Sequence, residues 1–347
     1  MQRRTFLAGS LAAALLSTAV GSGQVSAAAM YVAQRDFVFE RHFGLARTAD
    51  ARFLLGSITK PICVTALMAL FDRGEFRLDD PLQKFLPAFT GEGRETITLR
   101  QLLTHVSGLP DQLPANNELR KQHAGLAVFV EQALRTPLSF APGTQYQYSS
   151  MAILLACHLA ERLTGRSILD LVNETVLKPL GMQHSVLGLG SLQLSDVVPC
   201  QTERAAPESG AGDPSAKDWD WNSTYWRRLG APWGGLHASA ADVARFLDEF
   251  LHRRGAVVTP DTADLMTRNH NPPGLPPRGL GFNMSAAAGS PGCSEQTFGH
   301  TGSTGTLAWA DPATETLCVV LTSLPARALQ PHPRDVISTR VAAAAKE

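Results

Sequence analysis

A serine and a lysine three residues apart, Ser57 and Lys60, sit in the segment Leu54-Leu55-Gly56-Ser57-Ile58-Thr59-Lys60-Pro61. Ser57 is the only serine in the chain that stands three residues before a lysine. Positions i and i+3 share one face of a helix, so the amine at 60 can reach the hydroxyl at 57. A serine hydroxyl becomes a useful nucleophile when a neighbour takes its proton, and that is the chemistry this pair offers. The plainer alternative is a capping serine beside a solvated lysine. Against it, Lys60 heads a dense apolar run from Ile62 to Phe71, where a lysine needs a partner or a task.

That run is apolar on all sides and predicts a buried helix. Asp72-Arg73-Gly74 supplies its stop. Pro61 is tolerated only near a helix start, so Ser57 falls at or next to the N-terminus. Free backbone N–H groups and the positive dipole end then lie where an oxyanion would develop.

The elements that must hold this pair can be read in order. Met30 to Glu40 alternates apolar and polar residues around Gln34-Arg35-Asp36, a strand pair or a bent strand. Thr98-x-x-Gln101 is a capping box for a short helix. His105 follows in His105-Val106-Ser107-Gly108 and reads as a loop-pinning histidine rather than a base. Residues 111–123 are polar and border a cleft. Pro142-Gly143 turns into Tyr146-Gln147-Tyr148-Ser149-Ser150, and a helix follows from Met151 to Leu163. Ser167-x-x-Asp170 and Ser239-x-x-Asp242 cap two more helices. Between Gln183 and Pro232 the composition turns to Gly, Pro, Ser and polar residues, yet Trp219, Trp221, Tyr225 and Trp226 cluster there. Such a loop either borders function or is merely anchored by its aromatics. Near the end, Thr306–Ala310 and Thr316–Thr322 flank Asp311-Pro312-Ala313-Thr314 as a hairpin, and a helix runs from about Arg334 to Ala345.

Composition narrows the function classes. With 31 basic and 31 acidic residues in 347, the chain has no electrostatic footprint for nucleic acid and no polybasic membrane patch. Cys63, Cys157, Cys200, Cys293 and Cys318 are odd in number and widely spaced, against a disulfide framework or a Cys-x-x-Cys metal site. No Walker loop, His-Glu-x-x-His, dinucleotide fingerprint or Gly-x-Ser-x-Gly elbow is present, so neither cofactor nor metal is expected. The N-terminus has the pattern of an export signal. Arg3-Arg4-Thr5-Phe6-Leu7 is a twin-arginine pattern, Ala8 to Val20 is small and apolar, and Val25-Ser26-Ala27 and Ala27-Ala28-Ala29 are cleavable sequences. Residues 1–27 are therefore expected to direct export to the periplasm or beyond, leaving no stable membrane insertion.

Three separated pieces, Ser57-Ile58-Thr59-Lys60, Tyr148-Ser149-Ser150 and His300-Thr301-Gly302-Ser303, resemble the Ser-x-x-Lys, Tyr-x-Asn and Lys-Thr-Gly motifs of the serine β-lactamase and penicillin-binding protein superfamily. The chain is most similar to the class C β-lactamase-like branch, with its esterases, D-aminopeptidases and DD-carboxypeptidases. TLRQLLTHVSGLP, FAPGTQYQYSS, VLKPLGM, GGLHASAADVARF and FGHTGSTG carry the resemblance in order across residues 30–325. It implies a mixed α/β (α+β) fold: an antiparallel sheet flanked by helices from residues 28–74 and 235–347, and a mostly helical insertion from 75–234 whose loop at 183–232 borders the cleft.

The resemblance also implies roles. Ser57 would be acylated, with Lys60 and Tyr148 sharing the proton, and backbone N–H groups of Ser57 and Ser303 would hold the oxyanion. On charge grounds, the Lys60 cation would lower the pKa of Tyr148 and burial would lower that of Lys60. Ser150 and His300 replace the asparagine and lysine of the second and third motifs. With Thr301, Gly302 and Trp233 they make up the expected substrate-binding set. His300 would orient Tyr148, or bind an anionic substrate end when protonated. The expectation is a serine acyl hydrolase for small-molecule esters, amides or peptides. The alternatives are a DD-carboxypeptidase or D-aminopeptidase, or a non-catalytic binder that kept the fold.

Overall fold

The computed structural model describes residues 2–346, with side chains from Gly9 onward; the side chains of Arg3 and Arg4 lie outside the described residues. Among the described residues nine strands form two sheets. They are β1 (Ala27–Gln34), β2 (Phe37–Gly44), β3 (Phe53–Leu54), β4 (Val186–Leu187), β5 (Leu236–Ala238), β6 (Asn283–Met284), β7 (Phe298–Gly302), β8 (Thr306–Asp311) and β9 (Thr316–Thr322). The main sheet runs β2-β1-β9-β8-β7-β6, antiparallel throughout. A small antiparallel sheet, β3-β5-β4, sits beside it. The Met30–Glu40 stretch divides at Arg35-Asp36 into the hairpin β1–β2, and Asp311–Thr316 closes the hairpin β8–β9.

Residues 75–234 contribute helices, chiefly Leu126–Arg135 and Ser150–Thr164, and their only strand among the described residues is β4. They are not a separate core. One apolar cluster joins Ile62, Leu67 and Phe89 to Leu155, Phe246 and Phe298 across both parts of the chain. The capping signals form as their spacing requires. Thr98 and Gln101 make the reciprocal capping box, and Ser167 and Ser239 accept from the N–H groups of Asp170 and Asp242.

The other face of the main sheet carries a second apolar cluster, built in part from the N-terminal stretch that would pack there if uncleaved. Gln2–Gly21, within the stretch read as an export signal, is a helix laid on the sheet beside the C-terminal helix Pro333–Ala345. Ala12 and Leu16 are fully buried in that layer with Val32, Phe39, Val341 and Ala342. The approach is close enough that a Cβ on Gly9 would stand 3.0 Å from the Phe39 ring. The segment that the sequence reading would remove therefore also covers a hydrophobic face. A cut after Ala29 would in addition take three buried residues of β1, Ala27, Ala28 and Ala29. Among the described residues no helix is long and apolar enough to cross a membrane.

Candidate active site

Ser57 lies in a single 3-10 turn, Gly56–Ile58, that feeds directly into the buried helix Thr59–Asp72. Gly56 makes the turn at φ +56°, where a side chain is disfavoured, and a Cβ there would fall 2.9 Å from Thr304 Oγ1 and 3.2 Å from Ser303 N. The strand hairpin thus presses on the turn from outside. Thr304 and Thr306 donate from their hydroxyls to the carbonyls of Leu54 (2.7 Å) and Leu55 (2.6 Å). At Gly302 any Cβ would sit 2.2 Å from the Leu55 oxygen, so only glycine lets β7 come this near. These contacts bring Ser303 beside Ser57 although the two are far apart in sequence.

Lys60 is 1% exposed. Its Nζ stands 3.0 Å from Ser57 Oγ and donates over 2.9 Å to the Trp233 carbonyl. Burial pushes its pKa down to about 7, further lowered by Arg278 and partly offset by Asp111. Near neutral pH a substantial share of Lys60 is therefore the free amine, with a lone pair 3.0 Å from the serine hydroxyl.

Tyr148 presents its ring to Lys60, whose Nζ is 4.7 Å from the ring centroid. The phenol oxygen is shut from solvent and faces Ser57 without completing a well-formed hydrogen bond. Burial raises its pKa above the ordinary phenol range, outweighing the lowering by Ser57 and Arg278. Charge alone would have the Lys60 cation lowering Tyr148. The opposite direction prevails because desolvating a phenolate costs more than its neighbours return. Of the two candidates for proton acceptor, Lys60 is the one poised near neutrality.

His105 and His300 flank the tyrosine, at 4.6 Å and 5.9 Å between ring centroids. His105 pins its loop: Nδ1 accepts from the Ser149 N–H at 3.1 Å, and its carbonyl accepts from Gln147. His300 is 3% exposed, with Nδ1 2.7 Å from the Thr301 carbonyl, which assigns the proton to Nδ1. Burial, Arg278 and Lys60 hold its pKa well below 6.5. The expected role of a protonated His300 on an anionic substrate end gives way here, because burial and the nearby cations disfavour its charged form and it is not on the cavity wall.

The open side is a cavity of about 210 Å³ lined by Ser57, Tyr148, Ser150, Trp233 and Ser303 together with residues the motifs did not name. Thr301, Gly302 and His300 are not on its wall: Gly302 is the close-packing point, and Thr301 offers its carbonyl to His300. Ser150 is 2% exposed, and both its N–H (2.9 Å) and hydroxyl (2.6 Å) donate to Asp111 Oδ1. Its hydroxyl is thus committed to Asp111 rather than offered to a ligand. Trp233 acts through its carbonyl on Lys60, and its ring packs edge-on against Trp226 at 6.1 Å. Trp221 and Trp226 of the 183–232 loop also line the cavity. Arg120, fully buried, lies over the Trp226 ring at 3.8 Å, and burial lowers its pKa to about 10. Glu208 and the exposed Arg327 complete the charged rim. A larger open depression of about 710 Å³ beside Tyr225 and Asp218 holds none of the Ser57 chemistry, so chemistry and not size assigns the site.

Residues 111–123 do border the cleft, supplying Asp111, Gln112 and Arg120. Nothing in the sequence singled out Asp111, Glu208 or Arg278. Among the described residues no group of His, Cys, Asp and Glu is placed to hold a metal ion.

The family model described as Beta-lactamase matches residues 12–339. The chain belongs to the beta-lactamase family. The match opens inside the N-terminal helix and so includes most of the outer layer. Among curated relatives, the family member is 35% identical to Esterase EstB of Burkholderia gladioli over 159 residues, 42% of this chain and 40% of that protein. It is 25% identical to a putative D-alanyl-D-alanine carboxypeptidase of Escherichia coli (strain K12), covering 89% of this chain and 81% of that one. Among solved structures, a putative beta-lactamase from Bacteroides dorei superposes with a TM-score of 0.74 at 24% identity, over 97% of this chain and 99% of that one. The D-amino acid amidase from Ochrobactrum anthropi superposes at 0.77 and 22% identity, over 96% of each. At these identities the structural likeness establishes the fold, a mixed α/β arrangement of antiparallel sheet and helices. Membership with hydrolase relatives makes this protein a serine hydrolase of the beta-lactamase family.

Proposed function

We propose that this protein is an exported acyl hydrolase that forms an acyl-enzyme on Ser57 and acts on small esters or amides. The observation that carries the reading is the 3.0 Å contact between Ser57 Oγ and a buried Lys60 whose pKa is held near 7. Neutral Lys60 takes the Oγ proton as the oxygen attacks the acyl carbonyl. Backbone N–H groups of Ser57 and Ser303 receive the developing oxyanion. Lys60, directly or by way of the Tyr148 hydroxyl, returns the proton to the leaving oxygen or nitrogen. A water molecule, activated by the same pair, then releases the acid and restores Ser57.

The cavity supports a small acyl group packed against tryptophan. Esters are favoured over anionic β-lactams for two reasons. Ser150 spends its hydroxyl on Asp111, and His300 carries no charge to meet a carboxylate. The esterase relative points the same way. A peptidase reading, carboxypeptidase or D-aminopeptidase, draws its support from Asp111 and Glu208, two carboxylates in the cavity wall suited to a substrate ammonium group, and from the carboxypeptidase relative. The test is to label the full chain with a fluorophosphonate and map the modified peptide. The label is expected on Ser57 and absent from Ser57→Ala; a label elsewhere overturns the assignment. Export rests on Arg3-Arg4 and the apolar run behind it. Replacing both arginines with lysine should leave the protein in the cytoplasm, and undiminished export would refute the twin-arginine route.

A further inference from the structure

Lys60 is not the only buried cation at this site. Arg278, between the helix Pro260–Met266 and β6, is 3% exposed. Its guanidinium carbon lies 5.8 Å from the Tyr148 ring centroid. One arm donates to the Asn283 side-chain oxygen, while Nε and Nη2 are buried with no protein partner among the described residues. No ion pair to a carboxylate forms among the described residues. A buried arginine is ordinarily paired, because an arginine cannot shed its proton to relieve the cost of burial. Here the backbone secures the residue instead: its N–H donates to Asn269 Oδ1 at 3.0 Å, and its carbonyl accepts from the His270 N–H at 2.8 Å.

We propose that Arg278 is a positioning residue for proton transfer: its guanidinium, without a carboxylate partner and fixed against the Tyr148 ring that also faces Lys60, sets a permanent positive charge behind the Ser57–Lys60–Tyr148 cluster and adds to burial in favouring the free Lys60 amine. The proposal rests on Ser57 being the nucleophile. The groups facing the Lys60–Tyr148 pair come from every side: Ser57 on its 3-10 turn and Cys63 on the helix that follows, His105 and Asp111 on the loop after Leu99–Leu103, Tyr146, Glu208 on the long loop, and His300 on β7. Asp111 and Glu208 favour a charged lysine, and both histidines are held neutral. Arg278 is thus the fixed charge that opposes the two carboxylates. Repulsion between two cations in a low-dielectric setting favours loss of the proton that can leave, and only the lysine can lose one. The same charge favours any phenolate character on Tyr148 during transfer.

The test reads the pH dependence of fluorophosphonate labelling at Ser57 in the full chain, which needs no knowledge of the natural substrate. In wild type the rate should rise through about pH 7 as Lys60 loses its proton. Arg278→Met removes the charge and should move that limb up by about one pH unit, cutting the rate at pH 7 by about fivefold. Arg278→Lys keeps the charge and should leave the limb near its wild-type place. Asn283→Asp keeps Arg278 but gives it a carboxylate partner, and should move the limb in the same direction as Arg278→Met. This variant decides the matter if Arg278→Met fails to fold. A limb that stays in place in Arg278→Met or Asn283→Asp, with only the maximal rate reduced, overturns the proposal and leaves Arg278 a packing residue. An Arg278→Lys limb displaced as far as that of Arg278→Met overturns it as well. No labelling at Ser57 in any form of the protein overturns the nucleophile reading on which it stands.

Discussion

On one side of Ser57, Lys60, His105 and His300 are shut from solvent beside Arg278, with one edge of Tyr148 reaching the cavity. On the other, Trp221, Trp226 and Trp233 share an open wall with Asp111, Glu208 and Arg327. The first side is cationic and dry, the second aromatic and of mixed charge. The dry side has the greater leverage over protonation, because in a low-dielectric interior one fixed charge or one lost hydration shell moves a pKa by units. The wet side shapes and orients a ligand, and its carboxylates Asp111 and Glu208 pull Lys60 toward its charged form, against burial and Arg278. The two regions should therefore respond differently to mutation and to pH.

The largest effects should come from the dry side. Lys60→Ala is expected to lower kcat by ~10²–10⁴, the range for loss of a general base, and Tyr148→Phe by at least ~10². Near-normal turnover in both variants would dissolve the distinction between the two walls. Next comes pH. The kcat/KM for a small neutral ester should climb through about pH 7, where Lys60 gives up its proton, and a limb near the ordinary lysine pKa would show that burial does not govern the base. In substrate choice, a short-chain nitrophenyl ester should exceed nitrocefin in kcat/KM, and acidifying to pH 6 should not rescue nitrocefin, because His300 remains uncharged. A nitrocefin KM that falls toward pH 6 would put the histidine back among the charged groups. The smallest effects belong to the wet wall. Asp111→Asn keeps an acceptor for Ser150 and should change KM by a few fold while moving the pH limb downward, since it removes the foremost of the charges that favour protonated Lys60. A large kcat loss in this variant would place Asp111 with the proton machinery instead.

Much of the framework was legible in local signals. The buried helix after Ser57, the capping box at Thr98, the hairpin around Asp311 and the helix after Ser149 depend on residues a few positions apart, and they form where the spacing places them. The positions that came together as Ser57, Tyr148 and Ser303 were legible only through a resemblance to known motifs. What stayed hidden involves contacts across long stretches of chain. Arg278 has no motif around it, and only the fold shows that its guanidinium meets Tyr148. Ser150 looked like a ligand contact because nothing in Tyr-Ser-Ser announces that Asp111 will take its hydroxyl. The apolar run at the N-terminus has one composition and two physical uses: an export signal and a helix that covers a sheet both need small apolar residues.

Strand β1 sits between β2 and β9, pairing Ala28 with Thr322 and Gln34 with Thr316 as well as with its hairpin neighbour. On the ribosome, β1 emerges almost three hundred residues ahead of that second partner. Until then it has only β2, and an isolated two-stranded hairpin is marginal in water. The open edge of β1 waits through the synthesis of the whole helical region, a long-range pairing of the kind that slows folding and invites contact with other chains. The central ladder of the sheet is therefore among the last parts to be completed. The helix Gln2–Gly21, already made, gains its neighbour Pro333–Ala345 only when that ladder closes. Completion of the main sheet thus waits on β9 rather than on the ease with which the helices form.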